Sequence, residues 1–415
     1  MKKMYVGFVK KDIGDLADMY NTMCPLIYNG IATDPSGGVR PCCIFDQKYN
    51  FRGDVKDYKL SKEFQEIESA FLAGGYHPGC HHCERLDNNG ASSKRTREIR
   101  NYLHKYKKDK VDWEHIKTVG YDLIDLRLSN KCNLSCITCN PKSSSMIYDE
   151  TKKNKDSTMF HYANIYELTG HKDLTNPYDD DNIDQLLDCI NETSRLYFTG
   201  GEPSIVKGVF KVLQHCIDNG LNEHVYVEFN SNFQTENPKF INLLSYFPKG
   251  LMMPSIDVVG PRAKYVRYPS NWNQIDKNIK RFKQACPDWK FNLAPTISML
   301  TIFYLDEVAE YCETNNFKLN LSNQLWGPKY FQTSIMSDKW KEIALKKLEK
   351  LKDYRCFGNN YQIYYDTISN YIYSEKQDLD RLEACRTNLN RIDDIRGISY
   401  KDHLPILKEI FDECL

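Results

Sequence analysis

The chain has 415 residues, with 56 Lys plus Arg against 56 Asp plus Glu and a formal net charge of zero. That balance argues against a non-specific nucleic-acid or membrane surface, and no run approaches the roughly 18 apolar residues of a membrane span. The N-terminus, Met1 to Phe8, lacks the apolar stretch of a signal peptide, so a cytoplasmic location is expected. In a reducing compartment fifteen cysteines point to metal, because eight of them fall in tight groups or Gly/Pro-rich loops before residue 140. The other seven (Cys189, Cys216, Cys286, Cys312, Cys356, Cys385, Cys414) are scattered singly and read as small core hydrophobes.

Residues 1–118 form a loop-rich block with its own thiols. It carries Cys24-Pro25, then Ala32 to Cys43, then Gly79-Cys-His-His-Cys83. The turn signal Asp34 to Gly38 predicts a hairpin that brings Cys42 near Cys24, and Cys80-x2-Cys83 supplies a knuckle. Cys24, Cys42, Cys80 and Cys83 are a full set for an iron–sulfur cluster or a structural zinc, with Cys43 as a substitute for Cys42. His77, His81 and His82 are expected beside the site or at the surface. A charged helical stretch, Ser92 to Lys110, closes the block, and its basic run His104 to Lys110 reads as a solvated helix end.

The middle block, 119–330, alternates short apolar strands with helical patterns. The strands are expected at Leu123–Leu128, Arg195–Phe198, His224–Phe229, Met252–Ile256, Phe291–Ile297 and Lys318–Leu321, with helices such as Ser204–Asn219 and Asp306–Glu313 between them. This alternation predicts an α/β fold, a parallel sheet of βαβ units arranged as a partial (β/α)6 TIM-like barrel with its chemistry at the strands' C-terminal ends. Ser143 to Asp181 reads as an insertion. The last block, 331–415, is a helical extension, in which Ser337 caps a Ser337–Asp353 helix with Trp340, Ile343, Ala344, Leu348 and Leu351 as its apolar stripe.

Two motifs in the middle block carry chemistry. Cys132, Cys136 and Cys139 follow the first strand in the spacing Cys-x3-Cys-x2-Cys, which can hold three irons of a cubane cluster and leave the fourth open. Zinc also accepts three cysteines and a further ligand, but its sites usually pair Cys-x2-Cys knuckles. Thr199-Gly-Gly-Glu-Pro203 follows the second strand. Gly200 and Gly201 allow close backbone approach to a ligand, Glu202 can accept hydrogen bonds from an ammonium group, and Pro203 fixes the turn into the next helix.

Together and in this order, the two motifs resemble the radical S-adenosylmethionine (SAM) superfamily, over roughly the middle half of the chain. The resemblance implies a 4Fe–4S cluster on Cys132, Cys136 and Cys139 whose open iron chelates SAM. Reduction then cleaves SAM to methionine and a 5′-deoxyadenosyl radical. It further implies cofactor contacts from Gly200, Gly201, Glu202 and Pro203, from Asn230 and Asn232 after the third strand, and from Ser255, Asp257 and Arg267. A guanidinium fork suits a carboxylate. Thr138 departs from the aromatic residue that many members carry before the third cysteine.

The N-terminal block is similar to SPASM/twitch elements, in which a Cys, a Gly-x-Val-x-Pro-Cys strand (here Gly37 to Cys42) and a later Cys-x2-Cys bind an auxiliary 4Fe–4S cluster. Here the element precedes the barrel, and the tail Asp394-Ile-Arg-Gly-Ile-Ser-Tyr400 is also similar to twitch-domain proteins. Two 4Fe–4S clusters, a peptide or protein side chain as substrate, and a flavodoxin or ferredoxin as electron donor are what this resemblance implies. A nucleotide, tRNA base or sugar is the alternative substrate, and a non-catalytic metal-binding adaptor the alternative class. No residue is nominated as general acid, base or radical relay.

Overall fold

The structure is a computed structural model that describes residues 22–88, 92–154, 178 and 183–415. Met1 to Phe8 and most of the expected insertion lie outside the described residues. Ten strands form within them: β1 Gly30–Thr33, β2 Val39–Arg40, β3 Leu123–Leu126, β4 Ser135–Cys136, β5 Arg195–Phe198, β6 Tyr226–Ser231, β7 Gly250–Pro254, β8 Arg267–Tyr268, β9 Lys290–Leu293 and β10 Lys318–Leu319. The chain divides into two compact units, one of Met1–Ser129, Asn176–Gly200 and Lys207–Val227, the other of Asn130–Thr175, Gly201–Val206 and Glu228–Leu415.

In the first unit the strand order is β2-β1-β3-β5. The β1–β2 hairpin closes because the Asp34 carboxylate accepts from the amides of Ser36 (2.7 Å) and Gly38 (3.4 Å). Its register pairs Ala32 with Arg40. The other edge of β1 runs parallel to β3, Ile31 opposite Ile124, and β3 runs parallel to β5, Leu126 opposite Phe198. The N-terminal hairpin thereby extends the sheet that leads to the cysteine loop, a long-range pairing that no local pattern announces. Ile124, Leu126, Leu196 and Phe198 are fully closed from water, and each such side chain contributes about 1.5–3 kcal/mol. In the Lys207–Asp218 helix, Val209, Val212, Leu213 and Cys216 are buried at helical spacing.

The second unit orders its strands β6-β7-β9-β10, counting β6 from Glu228 onward, with β7, β9 and β10 mutually parallel. A separate antiparallel ribbon joins β4 to β8, Cys136 opposite Arg267. Helices Trp272–Ala285 and Leu305–Asn315 alternate with the strands, and Asp338–Glu349, Tyr361–Ile372, Leu379–Arg396 and Pro405–Cys414 follow as the helical tail. Parallel strands linked by helices give the α/β class that the alternation implied. Among the described residues no helix is long and apolar enough to cross a membrane.

Each of the six expected strands is present, Arg195–Phe198 with its expected ends and the other five with shifted ends, and the shifts have local causes. β3 stops at Leu126 because the Arg127 amide donates to Thr33 Oγ1 (2.9 Å) rather than to a ladder partner. β6 starts two residues late because the amides of His224 and Val225 both donate to the Leu221 carbonyl. β9 ends at Leu293, two residues before Pro295, which has no N–H to give a ladder. In the Asp338–Glu349 helix Trp340, Ala344 and Leu348 are buried as expected. Ile343 is half-buried, Leu345 joins the core, and Ser337 stands at the N-cap without a side-chain cap bond.

Candidate metal centre and cofactor site

The cysteine loop is framed by the start of the helix that follows it. Ser145 Oγ accepts from the Cys132 amide (3.1 Å) and donates to the Cys132 carbonyl (3.2 Å), while the Ser145 amide donates to Asn130 O (2.7 Å). Ser144 caps the Ser145–Lys153 helix and donates to Leu134 O at 2.7 Å. The far side is held by the β4–β8 ribbon and by Ile137 N donating to Val266 O (2.9 Å). The Ser143-Ser-Ser145 run carried this capping signal in the sequence. Thr138 is half-buried.

Burial pushes the thiols of Cys132, Cys136 and Cys139 above their ordinary value. Cys136 raises its two neighbours further, Cys139 to about 12, while Arg267 works the other way on Cys136. Three half-buried thiols on one short loop, held as neutral thiols by burial and one another, become thiolates when they ligate a cation. This donor set therefore fits a cluster with three cysteine ligands.

The Gly-Gly-Glu-Pro run serves the loop directly. A Cβ on Gly201 would stand 2.6 Å from Lys131 C and 2.8 Å from Asn130 C, and closer still to the Lys131 carbonyl oxygen. The Glu202 amide donates to that oxygen at 2.8 Å. Gly200 has φ +100°, and a Cβ there would meet Ser129 O at 2.9 Å. The close approach expected toward a ligand is thus first an approach of one backbone to another. Glu202 is buried, its carboxylate accepting from Ser204 N (3.1 Å), Ser231 Oγ (2.8 Å) and Asn232 N (2.7 Å). Burial raises its pKa although each of these donors favours the charge. Pro203 opens a short 3-10 turn, Pro203–Ile205, ahead of the helix.

The other strand ends also meet this loop. Asn232 Nδ2 donates to Asn133 Oδ1 (2.7 Å) in the cysteine loop, and its Oδ1 accepts from Gln234 N (2.8 Å). Asn230 is half-buried on β6. The Ser255 amide donates to Ser231 O (2.8 Å), and its hydroxyl has no hydrogen-bond partner among the described residues. Asp257 accepts from Thr296 N (2.7 Å) and lies 2.8 Å from Arg267 Nε, while Arg267 Nη1 reaches Cys136 Sγ at 3.7 Å. Burial opposes the Arg267 charge, but Asp257 and Cys136 outweigh it and hold the guanidinium firmly protonated. Sequence reasoning named Asp257 and Arg267 separately; the line Asp257–Arg267–Cys136 appears only once β8 lies beside β4.

In the first unit, Cys24, Cys42, Cys80 and Cys83 line one cavity together with Lys94 and Arg95. Cys24 precedes a short helix, Cys42 follows β2, Cys80 ends the Pro78–Cys80 turn and Cys83 lies on the His81–Asn88 helix. Burial raises Cys24 and Cys80, and Cys42 to about 12, with neighbouring thiols adding to it. Cys43 turns instead toward Asp125, and does not line this cavity. The three histidines also stay out of it: His77 Nδ1 caps the turn by accepting from Gly79 N (3.0 Å), and His81 and His82 hydrogen-bond to Pro78 O and Arg85. Among the described residues no three His, Cys, Asp or Glu side chains converge on the position of a single metal ion. Of the scattered cysteines Cys216, Cys286, Cys312, Cys356 and Cys385 are buried, while Cys189 and Cys414 are half-buried.

No protein-family model matches the chain. An uncharacterized protein of Methanocaldococcus jannaschii is 23% identical over 246 residues, which is 59% of this chain and 76% of that protein. Among solved structures, anSMEcpe with bound AdoMet is similar at 18% identity and a TM-score of 0.39, over 55% of this chain and 59% of that one. Streptococcus suis SuiB bound to the precursor peptide SuiA is similar at 14% identity and a TM-score of 0.35, over 72% of this chain and 64% of SuiB. The chain thus spans less than two thirds of either solved protein.

Proposed function

We propose that this chain is a radical SAM enzyme with an auxiliary iron–sulfur site, acting on a peptide or protein side chain. The observation that carries the reading is the joint construction of two motifs: the Cys132–Cys139 loop is braced by the Gly201–Glu202 backbone, and Arg267 reaches Cys136. Cys132, Cys136 and Cys139 would hold the cluster, which with SAM would supply a 5′-deoxyadenosyl radical for hydrogen abstraction. Three donors already occupy Glu202, which leaves its carboxylate about one acceptor position for an ammonium group. The Ser255 hydroxyl is available to a sugar, and Pro203, Asn230, Asn232 and Asp257 would stand around the cofactor.

Cys24, Cys42, Cys80 and Cys83 would hold the second cluster, with Lys94 and Arg95 offsetting its negative charge. The twitch-like Gly37 to Cys42 strand supports the peptide class by analogy, and a flavodoxin or ferredoxin would deliver the electron. Iron content of anaerobically reconstituted protein tests the reading. About eight irons should fall to about four in the Cys132→Ala/Cys136→Ala/Cys139→Ala variant, with loss of SAM cleavage. A wild type that binds no iron would end the radical SAM assignment, and zinc retained in place of the second four irons would end the auxiliary-cluster part.

A further inference from the structure

The tail motif Asp394 to Tyr400, which the proposed chemistry leaves unused, packs against the elements that hold the cysteine loop. Asp393 accepts from Tyr265 OH (2.7 Å) and from Tyr400 N (3.0 Å), which ties the tail to the helix just before Arg267. Three residues on, Arg396 buries its guanidinium almost completely. It makes a two-pronged pair with Glu150, Nε to Oε2 at 3.0 Å and Nη2 to Oε1 at 2.9 Å. Glu150 belongs to the helix capped by Ser144, the same helix that frames the cysteine loop. The other side of Arg396 lies over the Tyr268 ring at 5.1 Å, and Tyr268 pairs with Ser135 beside Cys136.

We propose that Arg396 is a positioning residue for the cluster at Cys136, a fixed buried positive charge, clamped by Glu150 and Tyr268, that eases the cluster's one-electron reduction. This rests on the radical SAM reading. Reduction brings one electron from an external low-potential donor and makes the centre more negative by one charge, while no bond changes at Arg396. A positive group held nearby stabilises the reduced form more than the oxidised one. The positive end of the pair is the one that lies against the Tyr268 ring, and the strand of Tyr268 pairs directly with Ser135 and Cys136. Burial is tolerated because the guanidinium is bonded by both oxygens of Glu150.

The test is a reductive titration of the reconstituted full chain with titanium(III) citrate, following the iron–sulfur EPR signal that changes on adding SAM. Arg396→Gln should reduce about tenfold less of that centre at a fixed potential. Glu150→Gln should shift it the opposite way, the double variant should return toward wild type, and Arg396→Lys should stay near it. A purely structural clasp predicts that both single charge variants move the centre in the same direction or leave its potential unchanged, and either result overturns the proposal. A wild type with no SAM-sensitive signal is read before any variant and overturns the radical SAM reading itself.

Discussion

Replacing Gly201 by alanine separates the two roles a Gly-Gly-Glu-Pro run can play. The backbone at Gly201 does not need a positive φ, so the obstacle is wholly steric. The new Cβ would press on the carbonyl of Lys131 and on Asn130 C at 2.8 Å, and these neighbours are backbone that cannot rotate aside. Overpacking of this kind costs about 1–3 kcal/mol where side chains can yield, and a rigid neighbour puts the cost at the top of that range. Retreat of the loop also breaks the Glu202 N–Lys131 O bond of 2.8 Å, worth about 1 kcal/mol. The sum, about 4 kcal/mol, corresponds to a drop of about 5 °C in the melting transition of a chain of this length. Because Lys131 directly precedes Cys132, iron bound at the three-cysteine loop should fall with it, while iron at the N-terminal thiols is retained. Scanning calorimetry with iron analysis of the reconstituted protein measures both. A Gly201→Ala protein with wild-type melting and full iron would refute the argument that the glycine exists to admit the cysteine loop.

Three further outcomes are expected. Cys42→Ala should cost the chain its second set of about four irons while Cys43→Ala keeps it, because Cys42 lines the shared cavity and Cys43 faces Asp125; iron analysis decides, and equal losses would reject the assignment. Glu202→Gln should destabilise the protein by about 1–3 kcal/mol, since an amide NH2 must then face one of the donors from Ser204, Ser231 or Asn232; an unchanged denaturation midpoint would contradict that network. Acid stability should depend on Arg195, which bonds Glu98 at 2.6 Å and Asp122 at 3.0 Å. Burial raises both carboxylates, but Lys94 and Arg195 around Glu98, and Arg195 and Lys105 around Asp122, outweigh it and hold both below their ordinary values. A depressed folded pKa contributes stability above the unfolded carboxylate pKa of about 4 and loses it as pH falls through the folded value. Arg195→Met should therefore raise the acid-unfolding midpoint, as followed by circular dichroism, and an unmoved midpoint would remove this network from the account.

The particulars of sequence and structure divide along a physical line. Local rules settled what local energies decide. Strand and helix placement followed from apolar periodicity, the Asp34 to Gly38 turn from its Asx hydrogen bonds, and the tight cysteine spacing from chain connectivity alone. Strand ends were less legible, because a single distant donor such as Thr33 or a proline such as Pro295 decides where a ladder stops. The pairing of β1 with β3 was out of reach, since Gly30 and Leu123 lie far apart in the chain and either strand could pair elsewhere. The same holds for the Asp257–Arg267–Cys136 line and for the Glu150–Arg396–Tyr268 clasp. The sequence by itself determined which residues could carry metal and cofactor chemistry, because that depends on residue type and short spacing. Only the tertiary structure decided which charges stand beside which thiols, because that depends on burial and on contacts between segments remote in sequence.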